Sequence, residues 1–211
     1  MLRRIILSLC VVAFSVVVNL AQAQEFSADI SNLKKEAGEL HKIYVSSSKV
    51  RIETSGKSGL SALILDTTNQ KNIAIMSERH MYMEMPYGQS MPMAQNFWRP
   101  LDANNACPQW KEFAEQVADK SKSGKRLASC SKVGGETLNG RSVVKYEGTD
   151  TDGKVGYVWV DTKVRCVVKV LGSEGNGFEM RNIQEGALPA SLFEVPAGYT
   201  KMDMGGMMQH Q

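Results

Sequence analysis

Val143-Val-Lys-Tyr146 and Val155-Gly-Tyr-Val-Trp-Val160 stand on either side of Thr149-Asp-Thr-Asp-Gly153. Both flanking runs are rich in β-branched and aromatic residues, the composition that suits a pleated, half-buried strand. Asp152-Gly153 between them and Asn139-Gly140 before them are hairpin signals, because glycine accepts the positive φ of the tight primed turns. The stretch therefore predicts consecutive antiparallel strands, and the rest of the chain repeats its grammar.

Downstream, residues 164–171 and 178–183 read as two more strands, linked by Asp161-Thr162-Lys163 and by the glycine-bearing stretch 172–177. Upstream, Phe26, Ala28 and Ile30 share one face of a first strand, Ile43 and Val45 open a second, and Val50 and Ile52 lie opposite Arg51 and Glu53. The runs 62–65 and 73–76 have strand length. Residues 80–85 set Met81, Met83 and Met85 on one face against His80, Tyr82 and Glu84 on the other. Closely spaced strands with short polar links predict an antiparallel meander. One helix interrupts it. Pro108 suits the first helical position, where its missing N–H costs nothing. Trp110, Phe113, Ala114 and Val117 then form an apolar stripe that must pack on something. Gly124 stands just past the helix, and residues 120–126 read as a solvated basic connector. Residues 86–106, with three prolines, read as a long loop of the kind that serves as a lid or binding element. Nothing suggests a second domain, an internal repeat or a coiled coil.

The beginning of the chain carries an address. Arg3 and Arg4 precede an apolar run over 5–18, and Ala21-Gln22-Ala23 supplies the small-x-small triplet of a cleavage site. The run is shorter than the ~20 residues that span a bilayer. Residues 1–23 are read as a signal peptide removed near Ala23, with an uncleaved anchor as the rival reading. The expected layout is then a single domain over 24–200 and a disordered Met-rich tail over 201–211, in the periplasm or secreted. Losing Arg3 and Arg4 lowers the formal charge from +3 to +1. A nearly neutral chain has no field of one sign directed at nucleic acid. Three cysteines remain, Cys107, Cys130 and Cys166. In an oxidising compartment an odd count implies one bridge and one thiol. Cys107–Cys130 is the expected pair and Cys166 a buried thiol alternating with Val164 and Val168, although spacing does not separate the three pairings.

A strand Lys49-Val-Arg-Ile-Glu53, a turn at Asp66, a strand bearing Tyr82 and a terminal Leu192-Phe-Glu-Val-Pro-Ala-Gly-Tyr199 follow one another in this order. This resembles a group of bacterial exported proteins of uncharacterised function related to the LolA/LolB lipoprotein carriers. The resemblance implies a mainly β (α+β) fold: a curved antiparallel half-barrel sheet wrapped around at least one helix. It also implies a hydrophobic interior, which in the carriers receives acyl chains. In the terminal motif, Phe193 and Val195 would anchor a last extended segment, Pro196 and Gly198 would turn it, and Tyr199 would cover the sheet edge.

Candidate site residues follow from this frame. Met81, Met83, Tyr157, Trp159, Trp110 and Phe113 are the expected lining of an apolar ligand site, if the interior is a cavity rather than a packed core. The ligand would be a lipid or a lipoprotein acyl chain. A further alternative is a structural envelope module whose partner is an envelope protein bound along the sheet. Peripheral contact of the basic connector with anionic lipid head groups is a separate expectation, with a plain surface loop as its rival reading. A second reading starts from the methionines, which crowd 76–93 and again the tail. Thioethers are soft ligands that favour Cu(I), and Met202, Met204, Met207, Met208 and His210 are the candidate metal set. Catalysis finds no support in the sequence. Ser46-Ser-Ser-Lys49 lies between strands and lacks its partner motifs. Ser55-Gly-Lys-Ser58 lacks the first glycine of a phosphate loop, because Arg51 stands there. The expectation is a non-catalytic binding or carrier protein without a cofactor.

Overall fold

The structure, a computed structural model, describes residues 25–33, 40–54, 59–86, 100–120 and 124–202. The expected signal peptide therefore lies outside the described residues. So do most of the tail (Met204, Met207, Met208 and His210), residues 55–58 and the 87–99 part of the long loop.

Among the described residues, twelve strands form one open, curved sheet. Six build the N-terminal half: β1 (Phe26–Asn32), β2 (Leu40–Val45), β3 (Lys49–Glu53), β4 (Ala62–Asp66), β5 (Lys71–Met76) and β6 (Met81–Pro86). The helix α1 (Cys107–Lys120) follows. Five more strands form the C-terminal half: β7 (Leu127–Leu138), β8 (Arg141–Asp150), β9 (Val155–Asp161), β10 (Val167–Leu171) and β11 (Gly177–Glu185). The short β12 (Thr200–Lys201) is the last strand of the described residues, one residue before their end. Each half is an antiparallel meander, and β1 pairs with β11 to join them; the order is β12-β6-β5-β4-β3-β2-β1-β11-β10-β9-β8-β7. The expected mainly β fold with a helix against it is what the chain adopts.

The expected hairpins are present. Asn139 and Gly140, both at positive φ, make the two-residue turn between β7 and β8, as the twist of the flanking strands requires. Between β8 and β9, Asp150 Oδ1 accepts the amides of Asp152 and Lys154, each at 2.9 Å. Three expectations need correction. Strand β10 begins at Val167, not at residue 164, because Asp161 Oδ1 accepts the amides of Lys163 and Val164, each at 2.8 Å, and holds 162–166 in a turn. The helix starts at Cys107, so Pro108 is its second residue, still within the first turn that needs no N–H donor. The twelve-residue β7 has no counterpart in the sequence reading. Its period is broken by two extra residues opposite β8, between Leu127 and Ser129 and between Lys132 and Gly134. The second is Val133, 55% exposed. Bulges of this kind protect an edge strand from further pairing.

Cross-strand partners share a face, so the register traces the core. One row runs Met83–Ala74–Leu63–Ile52–Ile43–Ala28 from β6 to β1. Another runs Tyr146–Val158–Val170–Phe178–Asn32 from β8 to β1. The first row packs in one core with Val143, Trp159, Val168 and Met180. Tyr146 and Val158 belong instead to a separate cluster with Val144, Val160, Leu101, Ala103 and Ala106, against which Trp110 and Val170 pack. On the reverse face of the N-terminal half, Ala62, Ile64, Ile73 and Ile75 pack with Tyr82, Val195 and Tyr199. Phe193 is buried in a short 3-10 turn, Gly198 takes φ 81°, and β12 then pairs in parallel with β6. The terminal motif thus seals the sheet as expected and adds a strand to it.

The C-terminal half is tied by charge. Arg141 bridges Asp161 and Glu185, and Lys163 reaches Glu185 at 2.8 Å. Glu179, 4% exposed, meets Lys169 at 2.9 Å, Arg181 at 2.8 Å and the Asn139 amide at 3.0 Å. Burial alone would raise its carboxyl, but the hydrogen bonds from Asn139, Lys169 and Arg181 outweigh burial and hold it at about 2. An unfolded glutamate titrates near ~4.3, so the folded state refuses a proton that the unfolded chain accepts. The stability Glu179 contributes is complete above that value and is lost as pH falls toward 2. Urea midpoints measured from pH 6 down to 2.5 should therefore drop less steeply in Glu179→Gln than in the wild type; parallel curves would show that Glu179 is not held down.

Candidate functional site: the cavity beneath α1

The site begins with a tyrosine. Tyr146 is 1% exposed, and its phenol would be costly to bury without partners. Its hydroxyl donates to the Ala103 carbonyl at 2.9 Å and accepts the Ala106 amide at 3.3 Å. These bonds fix the segment leading into α1, and Arg165 Nε adds one to the Leu101 carbonyl at 3.1 Å. The Cys107–Cys130 disulfide, Cα–Cα 5.7 Å, clamps the first turn of the helix to β7. The expected pairing is the one present, and Cys166 is buried, its thiol pushed up by desolvation first and by the Asp161 charge second.

Trp110 lies one turn into the helix, against bare backbone. Gly148 on β8 pairs with Gly156 on β9. A Cβ at Gly148 would stand 2.5 Å from the Trp110 ring and 2.7 Å from Leu127. The tryptophan thus occupies the space that a side chain at Gly148 would need.

Between helix and sheet lies a cavity of about 220 Å³. Val158, Val160, Val167 and Val170 supply its sheet side, and Trp110 and Phe113 its helix side. Gln109, Glu112 and Gln116, on the same stretch of helix, also border it. The space exceeds an engineered apolar cavity of ~150 Å³ that binds benzene. It is smaller than the ~300–1,000 Å³ of drug-sized ligand sites. A narrow apolar group fits it better than a whole lipid.

The structure divides the six expected ligand residues. Trp110 and Phe113 border the cavity, and Tyr157 touches its rim while its ring lies 6.1 Å from that of Trp159 on the other side of β9. Trp159 alternates to the opposite side of β9 from Val158 and Val160. There it is buried, donates from Nε1 to Glu136, and has the ammonium groups of Lys145 and Lys169 each 5.1 Å from its ring centroid. Lys145 Nζ also lies 4.3 Å from the Tyr157 ring, whose phenol is pushed up by a hydrogen bond to Glu147 and by its charge. Met81 and Met83 lie on β6, far along the strand order from the cavity, and Met83 packs against the core that contains Trp159 rather than the cluster under α1. Sequence reasoning missed Val158, Val160, Val167 and Val170, which read as ordinary strand residues. It also missed the Gly148–Gly156 pair, whose only signal was two glycines inside strand patterns. Among the described residues, no three His, Cys, Asp or Glu side chains group as metal ligands, and no helix is long and apolar enough to cross a membrane.

No protein-family model matches the chain, and no curated protein matches it. Solved structures do. An uncharacterised conserved protein from Thermus thermophilus is 10% identical, with a TM-score of 0.51, over 85% of this chain and 90% of that one. The Pseudomonas aeruginosa MucA/MucB complex gives 15% identity and a TM-score of 0.49, over 83% of this chain and 57% of that one. The Mycobacterium tuberculosis lipoprotein LppX gives 9% and 0.38, over 79% and 86%. The likeness to the Thermus protein is one of fold. That fold, an open antiparallel sheet with a helix packed on one face, is the architecture the LolA/LolB resemblance implies.

The Gly148 contact can be tested directly. Gly148→Ala should destabilise the protein by ~1–3 kcal/mol, the usual cost of overpacking, with a change in tryptophan fluorescence in the native state. A neutral substitution with an unaltered emission spectrum would mean that Trp110 does not rest on Gly148.

Proposed function

We propose that this chain is an exported, non-catalytic carrier that holds the apolar chain of a lipid or lipoprotein in the cavity beneath α1. The observation that carries the reading is the cavity itself: a space walled by four valines, Trp110 and Phe113, with a polar border on the helix. A valine-lined wall offers dispersion contact and no competing hydrogen bonds, which suits methylene groups. The size limits the occupant to a single chain or part of one. Export is supported by the Cys107–Cys130 disulfide, which persists in oxidising compartments and is rare in the cytosol. The start of the chain, read as a signal peptide, agrees with it.

The wall can be filled without adding charge. Val170→Phe places a ring where the proposed ligand would lie. It should weaken binding of a fluorescent long-chain acyl probe by ~10-fold or more, since excluding two methylenes costs about that much. Circular dichroism and the thermal midpoint report separately that the fold is retained. Unchanged probe affinity in a folded Val170→Phe protein would refute the cavity as the binding site.

A further inference from the structure

The methionines form two groups in sequence, one over 76–93 and one in the tail, and the fold brings their members together. Strand β12 lies beside β6 in parallel register, with Thr200 opposite Met81 and Lys201 opposite Tyr82. The Thr200 amide donates to the His80 carbonyl at 2.9 Å, and the Met202 amide donates to the Tyr82 carbonyl at 2.8 Å. On the other side of β6, Met76 of β5 is the direct partner of Met81.

Alternation fixes which side chains share a face. Lys201 pairs with Glu84 at 2.6 Å, and Lys71 reaches the same carboxylate at 3.2 Å, so Glu84, Tyr82 and Lys201 occupy the reverse face. Met76, Met81 and Met83 therefore project to the opposite face, and Met202, two residues beyond Thr200 on the alternating chain, joins them. Adjacent strands are spaced by ~4.8 Å and same-face neighbours along a strand by ~7 Å. Four long, flexible thioethers thus arise from three neighbouring strands within one small patch. All four residues are half-buried, so solvent reaches the patch.

The chemistry of the patch is soft. Thioether sulfur favours Cu(I) over hard cations. The cysteines do not compete, because Cys107 and Cys130 are oxidised to a disulfide and Cys166 is buried with its thiol pushed up. The Glu84 carboxylate faces the other way. We propose that Met76, Met81, Met83 and Met202 form a Cu(I)-binding site at the β5–β6–β12 edge of the sheet. This site is separate from the cavity beneath α1, which lies over β8–β10. It also differs from a tail site, because it uses only the first tail methionine and draws the others from the sheet.

The test uses the full chain titrated with Cu(I) under ascorbate against a chromophoric Cu(I) chelator. Leucine replaces methionine with little change in volume, so Met81→Leu, Met83→Leu and Met202→Leu are combined in one variant, with its thermal midpoint as the folding control. That variant should bind Cu(I) at least ~10-fold more weakly, the lower range for disturbing even outer-shell partners of a metal. Deletion of 203–211 should leave the affinity unchanged, and so should Val170→Phe. Silver(I), a redox-stable stand-in, should shift the methyl resonances of Met76, Met81, Met83 and Met202 and leave that of buried Met180 in place. The proposal is overturned by a wild-type chain that fails to compete with the chelator. It is equally overturned by full affinity in the triple variant, or by loss of affinity on deleting 203–211.

Discussion

The pinning of α1 onto β8–β10 is the constraint from which the functional architecture follows. A helix whose stripe runs through Trp110, Phe113, Ala114 and Val117 must bury that stripe. Its position over the sheet is set at one end. Tyr146 holds Ala103 and Ala106 by hydrogen bonds, the disulfide holds Cys107, and Gly148 leaves room for Trp110. Farther along the helix, Asp119 meets Arg126 at 2.6 Å in an exposed pair, an interaction of small energetic weight. The helix is thus firmly located at its start, and the space left between Phe113 and the valines of β9 and β10 becomes a cavity rather than a packed seam.

The two faces of the sheet divide the remaining work. Val144, Tyr146, Val158 and Val160 form the cluster under α1 and carry the cavity. A second cluster joins the N-terminal row to Trp159, which is flanked by Lys145 and Lys169 and bonded to Glu136, while Val195 and Tyr199 seal the other face of the N-terminal half. Asp161 is buried at the hub of an ion-pair network where the β9–β10 turn meets β8 and β11. Such a buried carboxylate is tolerable because Arg141 and two backbone amides satisfy it. These contacts fix the sheet without using the face that holds the cavity.

Much of the fold was legible because the signals were local. Asn139-Gly140 fixed a two-residue hairpin through its φ requirement alone, and period-two runs such as 143–146 and 155–160 needed no tertiary context. The terminal Phe193, Pro196, Gly198 and Tyr199 could be placed because each has a distinct role in burying, turning or covering. What escaped was set by tertiary neighbours. The β7 strand has few apolar residues, two bulges and a Gly-Gly pair, all features of a protected edge. The β12 strand is two residues long and exists only because β6 offers an unpaired edge. Gly148 and Gly156 signal a close approach only once Trp110 is known to lie there. Size alone assigns Trp159 to the ligand, yet alternation sends it to the face away from α1.

Occupation of the space beneath α1 by an apolar chain, when the protein is at work, is the central claim. The most direct measurement is native mass spectrometry of the protein expressed from its full-length sequence and recovered from a bacterial periplasm without detergent. The expected result is an adduct of single-chain lipid mass, released when the protein is denatured. A bare polypeptide mass, unchanged after incubation with acyl lipids, would contradict it.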